Sequence, residues 1–173
     1  MQNKSWVIKV FIFTFLICML ISGISNSIAS NANIIVLLII TAIIIFIGII
    51  FDIIGTSVLT ADEATFHAKA SNKIRGSKES IKLIKNASNI ANFCNDIIGD
   101  ICGIISGSMG AMIAIYLANK LNINPTITVL IVSSVISSIM VGGKAIGKNI
   151  AIKKSDKIIF RVGKILNKTK GSK

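Results

Sequence analysis

Apolar residues in this chain come in four long runs, separated by short polar or basic stretches. A helix that crosses a bilayer needs about 20 predominantly apolar residues. Residues 6–25, 32–60, 90–118 and 126–150 meet that length and predict four transmembrane α-helices. Between the second and third runs, residues 69–85 set Ile81, Leu83 and Ile84 against Lys78, Lys82 and Lys85, with Gly76 as an interruption. That pattern predicts a helix–turn–helix hairpin lying on a membrane surface. After the fourth run, Ile158, Ile159, Val162, Ile165 and Leu166 alternate at helical spacing with Lys157, Arg161, Lys164 and Lys168. A basic amphipathic helix is expected there. The expected architecture is therefore an all-α integral membrane protein, with an N-terminal anchor over 1–31, a membrane domain over 32–151 and a basic tail over 152–173.

Charge orients the spans. The N-terminus, residues 69–85 and the tail carry most of the lysines, whereas residues 26–33 carry no charge and the 122–125 connection adjoins only Lys120. Lys and Arg mark the cytoplasmic side, so both termini and the central basic segment are expected inside the cell membrane of a bacterial-type cell. The basic start and the small residues 27–32 also fit a secretory signal peptide; the long apolar run and the lack of an Ala-x-Ala site favour an uncleaved anchor.

Composition narrows the function classes. At 173 residues with 53% hydrophobic content and mean hydropathy +0.79, the chain is one domain and too apolar for an ordinary soluble one. The net charge of +12 sits beside the apolar runs, where it suits topology control and anionic headgroups. Those basic segments have almost no aromatic residues and no recognition motif, so nucleic acid is not expected as a partner. Cys18, Cys94 and Cys102 lie in apolar stretches without paired spacing, and His67 is the only histidine. Neither a disulfide framework nor a zinc site follows. No nucleophile–base pair suggests an enzyme.

The carboxylates are less easily explained. Asp52, Asp62, Glu63, Asp96 and Asp100 fall inside or at the edges of membrane-length runs, five of the chain's seven acidic residues. A carboxylate in hydrocarbon is costly and usually faces a polar cavity or a partner. At α-helical pitch Asp52, Thr56, Thr60 and Glu63 share a side of the second span, and Asn92, Asp96, Gly99, Gly103, Ser106, Gly107 and Gly110 form a stripe on the third. Gly99, Gly103 and Gly107 at four-residue spacing predict close helix packing. The fourth span adds Ser133, Ser134, Ser137 and Ser138. Such seams offer the oxygen ligands that hard cations such as Mg²⁺ take, with Glu63, Asn95 and Asp96 toward the cytoplasm and Asp52, Asp100 and Ser134 as a deeper pathway. The alternative is that these acids pair with lysines, or are protonated and structural.

Residues 32–151 resemble the membrane domain of the CNNM/CorB/CorC divalent-cation transporters, known as DUF21. Thr60-Ala61-Asp62-Glu63-Ala64 is similar to that family's Ser-x-x-Glu signature, Asn95-Asp96 to the Asn-rich opening of its next helix, and Gly143-Lys144-Ala145-Ile146-Gly147-Lys148 to its Gly-Glu-x-x-Pro-Lys sequence. The resemblance implies a three-span core with an extra helix in front, a cytoplasmic hairpin, a homodimer, and Mg²⁺ handled by Thr60, Glu63 and Asn95 with Asp96 adjacent. Two departures stand out. Lys144 occupies the family's acidic position and Gly147 its proline, and the cytoplasmic CBS pair typical of the family is not expected from this chain. A tethered Lys144 ammonium in place of a mobile ion, neutralising Glu63 or Asp96, would turn a transporter of Mg²⁺ or Co²⁺ into a scaffold or regulatory relative.

The orientation is directly testable. A membrane-impermeant thiol reagent should reach a cysteine placed in residues 69–85 only from the cytoplasmic side, and one at Asn31 only from outside.

Overall fold

A computed structural model describes Ile8, residues 11–20, Gly23 and residues 33–170. Its elements are α1 (Phe11–Leu20), α2 (Ile34–Thr60), α3 (Glu63–Ser71), α4 (Ser77–Lys85), α5 (Ala87–Ala91), a π-helical stretch (Asn92–Ile98), α6 (Gly99–Leu121) and α7 (Pro125–Lys170). Every element among the described residues is helical, as the periodicity predicts. Three helices are long and apolar enough to cross a membrane: Ile34–Thr60, Ala87–Leu121 and Pro125–Thr169. The expected N-terminal span is represented among the described residues by the ten-residue apolar helix α1; the rest of residues 6–25, and the 27–32 junction, fall largely outside the described residues. Large side chains such as Ile35, Phe46, Leu130, Val135 and Val141 are exposed along these helices. In water such stripes would promote aggregation, whereas lipid accepts them.

The boundaries differ from expectation at the C-terminal end. The fourth span and the basic tail are one element, α7, bent at Lys154, whose φ of −129° and ψ of 23° leave the helical region. Within the tail, Ile159 is buried but Ile165 and Leu166 are exposed, so the apolar face expected there is not a single buried stripe.

The chain forms two compact units, the described residues of Met1–Gly48 with Ile97–Gly142, and those of Ile49–Asp96 with Gly143–Lys173. In the first, α2, α6 and the start of α7 meet pairwise. A Cβ added at Gly48 would lie 2.5 Å from Met140 Cε and 2.9 Å from Cys102 Cβ, and one at Gly110 would lie 2.8 Å from Ile136 Cδ1. Leu37, Thr41, Ile45, Ile105, Met109 and Ile113 fill the space between. Thr41 satisfies its hydroxyl by donating to the Leu37 carbonyl one turn earlier, at 2.7 Å.

The glycines expected to form a ladder differ among themselves. Gly99 is buried, whereas a Cβ at Gly103 or Gly107 would meet nothing within 4 Å among the described residues. The serine seam of the fourth run is turned away: Ser134, Ser137 and Ser138 are exposed, while Ile136 and Met140 face inward.

In the second unit, Val58, Phe66, Ala91 and Ile159 are the buried core, flanked by Ile81, Leu83, Ile84, Ile90 and Phe160. The polar edges close by other means. Lys69 lies 4.9 Å from the ring centroids of both Phe66 and Phe160, and Lys164 lies 4.5 Å from Phe160, so two ammonium groups cover the aromatic faces. The turn between α3 and α4 comes against α7 at Gly76, where φ is +92° and an added Cβ would stand 2.8 Å from the Lys164 backbone nitrogen. Only glycine suits both constraints.

This contrast gives a paired expectation. Gly76→Ala should lower stability by about 1–3 kcal/mol, through backbone strain and a backbone clash, whereas Gly103→Ala should leave it unchanged or raise it by roughly 0.5–1 kcal/mol, the usual gain of alanine over glycine in a helix. Unfolding of both variants in detergent, followed by circular dichroism, measures the difference.

Candidate functional site

The motifs singled out in the sequence lie at the end of α2 and start of α3, on the π-helical stretch, and at Gly143–Lys148 of α7, all in the second unit. Helix α2 ends at Thr60 and α3 begins at Glu63, with Asp62 as N-cap in an extended conformation. The Asp62 carboxylate accepts from the Ala64 amide at 3.1 Å and from the Thr65 hydroxyl at 3.0 Å. It is therefore committed to capping, the role of an Asp before a helix's first turn.

This junction is tied to the bend in α7. The Ser155 hydroxyl donates to the Thr60 carbonyl at 3.3 Å, and the Asp62 amide donates to Asp156 Oδ1 at 3.0 Å. A helix C-terminus leaves carbonyls without partners and a helix N-terminus leaves amides. Ser155 and Asp156, the two residues after the bend, supply one partner to each.

The proposed ligands have other engagements. The Thr60 hydroxyl donates back into its own helix, to Thr56 at 3.1 Å and Ser57 at 3.4 Å. Glu63 Oε1 lies 3.1 Å from His67 Nε2, one turn along α3. The expected seam of Asp52, Thr56, Thr60 and Glu63 thus dissolves into a gradient of exposure: Asp52 is only 2% exposed, Thr56 is half-buried and Thr60 is exposed. The face that α2 buries in this unit holds Asp52, Gly55 and Val58.

Asn95 is different. It sits in the middle of the π-helical stretch, packed directly on Gly55 of α2; a Cβ at Gly55 would run into the Asn95 amide. Its Oδ1 is buried without a hydrogen-bond partner. Asp96, the next residue, is exposed. The π winding shifts the register of the stripe expected on the third span, in which Gly99, Ser106 and Gly110 are buried but Asp96 is not. A π turn takes more residues than the 3.6 of an α turn, so positions predicted at α pitch drift off the face within two turns. Asp96 and Asp100 are consequently exposed, and Cys94, Ile97, Ile101 and Cys102 take the buried positions.

Lys144 is half-buried on the stretch of α7 that runs against α2 in this unit. A Cβ at Gly143 would collide with Ile49, and one at Gly147 would lie 2.8 Å from Ile53 Cγ1. The stretch that carries Lys144 therefore runs beside the segment of α2 that holds Asp52. Among the described residues, no three His, Cys, Asp or Glu side chains converge as a metal-holding group.

No family model, curated protein or solved structure matches this chain.

The brace was missed by sequence reasoning. Asp62 just before Glu63-Ala64-Thr65 is a legible N-cap signal, but its partner is 94 positions away and carries no pattern. Replacing Asp156 tests it. Asp156→Ala should cost about 1 kcal/mol of stability by leaving the Asp62 amide without an acceptor, and Asp156→Asn, which keeps the acceptor, should recover most of that. Thermal melting of both variants at one pH measures the pair.

Proposed function

We propose that this chain is a multi-pass membrane protein, assembling as a homodimer, that moves divalent cations of the Mg²⁺ or Co²⁺ type past an oxygen-bearing centre at the π-helical stretch. The observation that carries this reading is the buried, unpartnered Asn95 Oδ1 lying over Gly55. A buried acceptor left without a donor costs about 1–3 kcal/mol. Native structures rarely keep such a group without a use, and an amide oxygen is an acceptable ligand for a hard cation. The π winding that holds it is itself rare and concentrates at functional sites, because it interrupts the regular backbone ladder.

The remaining ligands follow with different weights. Asp96 stands next to Asn95, and Asp52 is the buried carboxylate of the neighbouring helix in the same unit. Thr60 and Glu63 join only if the Thr60 hydroxyl leaves its helix and Glu63 leaves His67. Alternating exposure of the centre would require that kind of exchange of partners at the α2–α3 junction. A second reading, a non-transporting scaffold or regulatory subunit, draws support from the same engagements: Glu63 already has a partner, and a lysine rather than an acid occupies position 144.

Reconstituted liposomes loaded with a Mg²⁺-sensitive dye separate the two. Transport predicts flux by the wild-type chain, and its loss, by at least about tenfold, in Asn95→Ala, where a buried amide oxygen offered to the ion is removed. Gly55→Ala, which pushes the amide off its seat, should also reduce flux while leaving the helical content unchanged. Wild-type protein that passes neither Mg²⁺ nor Co²⁺ favours the scaffold.

A further inference from the structure

The bend in α7 creates a feature that neither the cation centre nor the helix core uses. Ile150, Lys154, Lys157, Ile158 and Arg161 line one hollow of about 370 Å³, within the ~300–1,000 Å³ range of ligand clefts. All five belong to a single helix, at positions that share one face. Their side chains border a common, partly open space beside the bend. The bend lies at Lys154, itself one of the lining residues.

The hollow has a sharply divided chemistry. Lys154, Lys157 and Arg161 are exposed cations, and no acidic residue lines the space. Asp156, the nearest carboxylate in sequence, is turned to the Asp62 amide. Ile150 and Ile158 supply apolar walls. Ile150 also closes the apolar part of a helix long enough to cross a membrane, so the cations begin where hydrocarbon would end. The basic hollow near Lys73, Arg75 and Lys78 lacks this division, because Glu79 lines it as well.

We propose that Lys154, Lys157 and Arg161 bind the phosphate of an anionic phospholipid headgroup, with Ile150 and Ile158 against its glycerol and upper acyl carbons. Three cations around one phosphate give charge-assisted hydrogen bonds, and the guanidinium contributes a fork that matches two phosphate oxygens. A free phosphate would use the same cations but has no need of the apolar walls. Diffuse attraction of a basic tail to an anionic surface would depend only on the number of charges, not on these positions. A seated lipid would brace the bend from the side opposite the Ser155 and Asp156 contacts.

Native mass spectrometry of the full chain released from nanodiscs tests this. Wild-type protein should retain phosphatidylglycerol in preference to phosphatidylcholine. The combined Lys154→Gln, Lys157→Gln and Arg161→Gln variant should bind phosphatidylglycerol roughly 10- to 100-fold more weakly. A control that removes the same charge elsewhere, Lys82→Gln, Lys85→Gln and Lys168→Gln, should lose less than about threefold if position governs binding. Equal losses in the two variants overturn the proposal in favour of diffuse attraction. Equal retention of phosphatidylcholine overturns it, as does full displacement of phosphatidylglycerol by millimolar glycerol 3-phosphate, which would assign the hollow to a free phosphate. Circular dichroism checks the fold, and Lys157→Gln and Arg161→Gln singly, each expected to lose binding in part, carry the test if the triple variant does not fold.

Discussion

Two backbone groups at the α2–α3 junction organise the second unit. Where α2 stops, the Thr60 carbonyl has no further turn to bond, and where α3 starts, the Asp62 amide has no preceding turn. Ser155 and Asp156 reach both from beyond the bend in α7. Individually each contact is modest, about 1 kcal/mol. Together they join segments far apart in sequence and hold the bent part of α7 beside the core of Val58, Phe66, Ala91 and Ile159. The glycines at 76 and 163 then let backbones approach where side chains would not fit. Ser80 adds a third tie by donating to the Ile159 carbonyl at 3.2 Å.

The candidate cation centre departs from this economy. At the α2–α3 junction the Thr60 carbonyl and the Asp62 amide find protein partners, whereas Asn95 Oδ1, like the Ser57 and Ser77 hydroxyls of the same unit, is buried with none. Asn95 lies on a π-helical stretch and against a glycine, two local features that weaken an ordinary helix and help only if the amide must sit there. The lipid hollow on α7 is a different kind of site, built from exposed charge and a bend. The two share only the helices that carry them.

Lys144 bears on the choice between the transport and scaffold readings. The Gly143–Gly147 stretch that carries it packs against Ile49 and Ile53 of α2, in the helix segment that also holds the buried Asp52.

Sequence alone determined the all-helical class, the three long apolar helices and the basic segments between them, because span length and charge clustering are properties of consecutive residues. It also singled out Asp52 as a carboxylate in costly surroundings and Asn95 as an oxygen donor. It failed wherever a constant helical pitch was assumed or a partner was distant. The stripe through Asn92, Asp96, Gly99, Gly103, Ser106, Gly107 and Gly110 was drawn at α pitch; with the π winding at Asn92–Ile98, Gly99, Ser106 and Gly110 are buried while Asp96 is exposed. The Asp52–Glu63 seam ended at the α2–α3 junction, where Glu63 turned to His67. Which glycines meet a neighbour was also not legible, since Gly48, Gly55 and Gly147 have no spacing that distinguishes them from Gly103. Those outcomes belong to tertiary structure. Only packing decides which face of a helix is covered, and only distant chain brought close decides which leftover amide or carbonyl finds a partner.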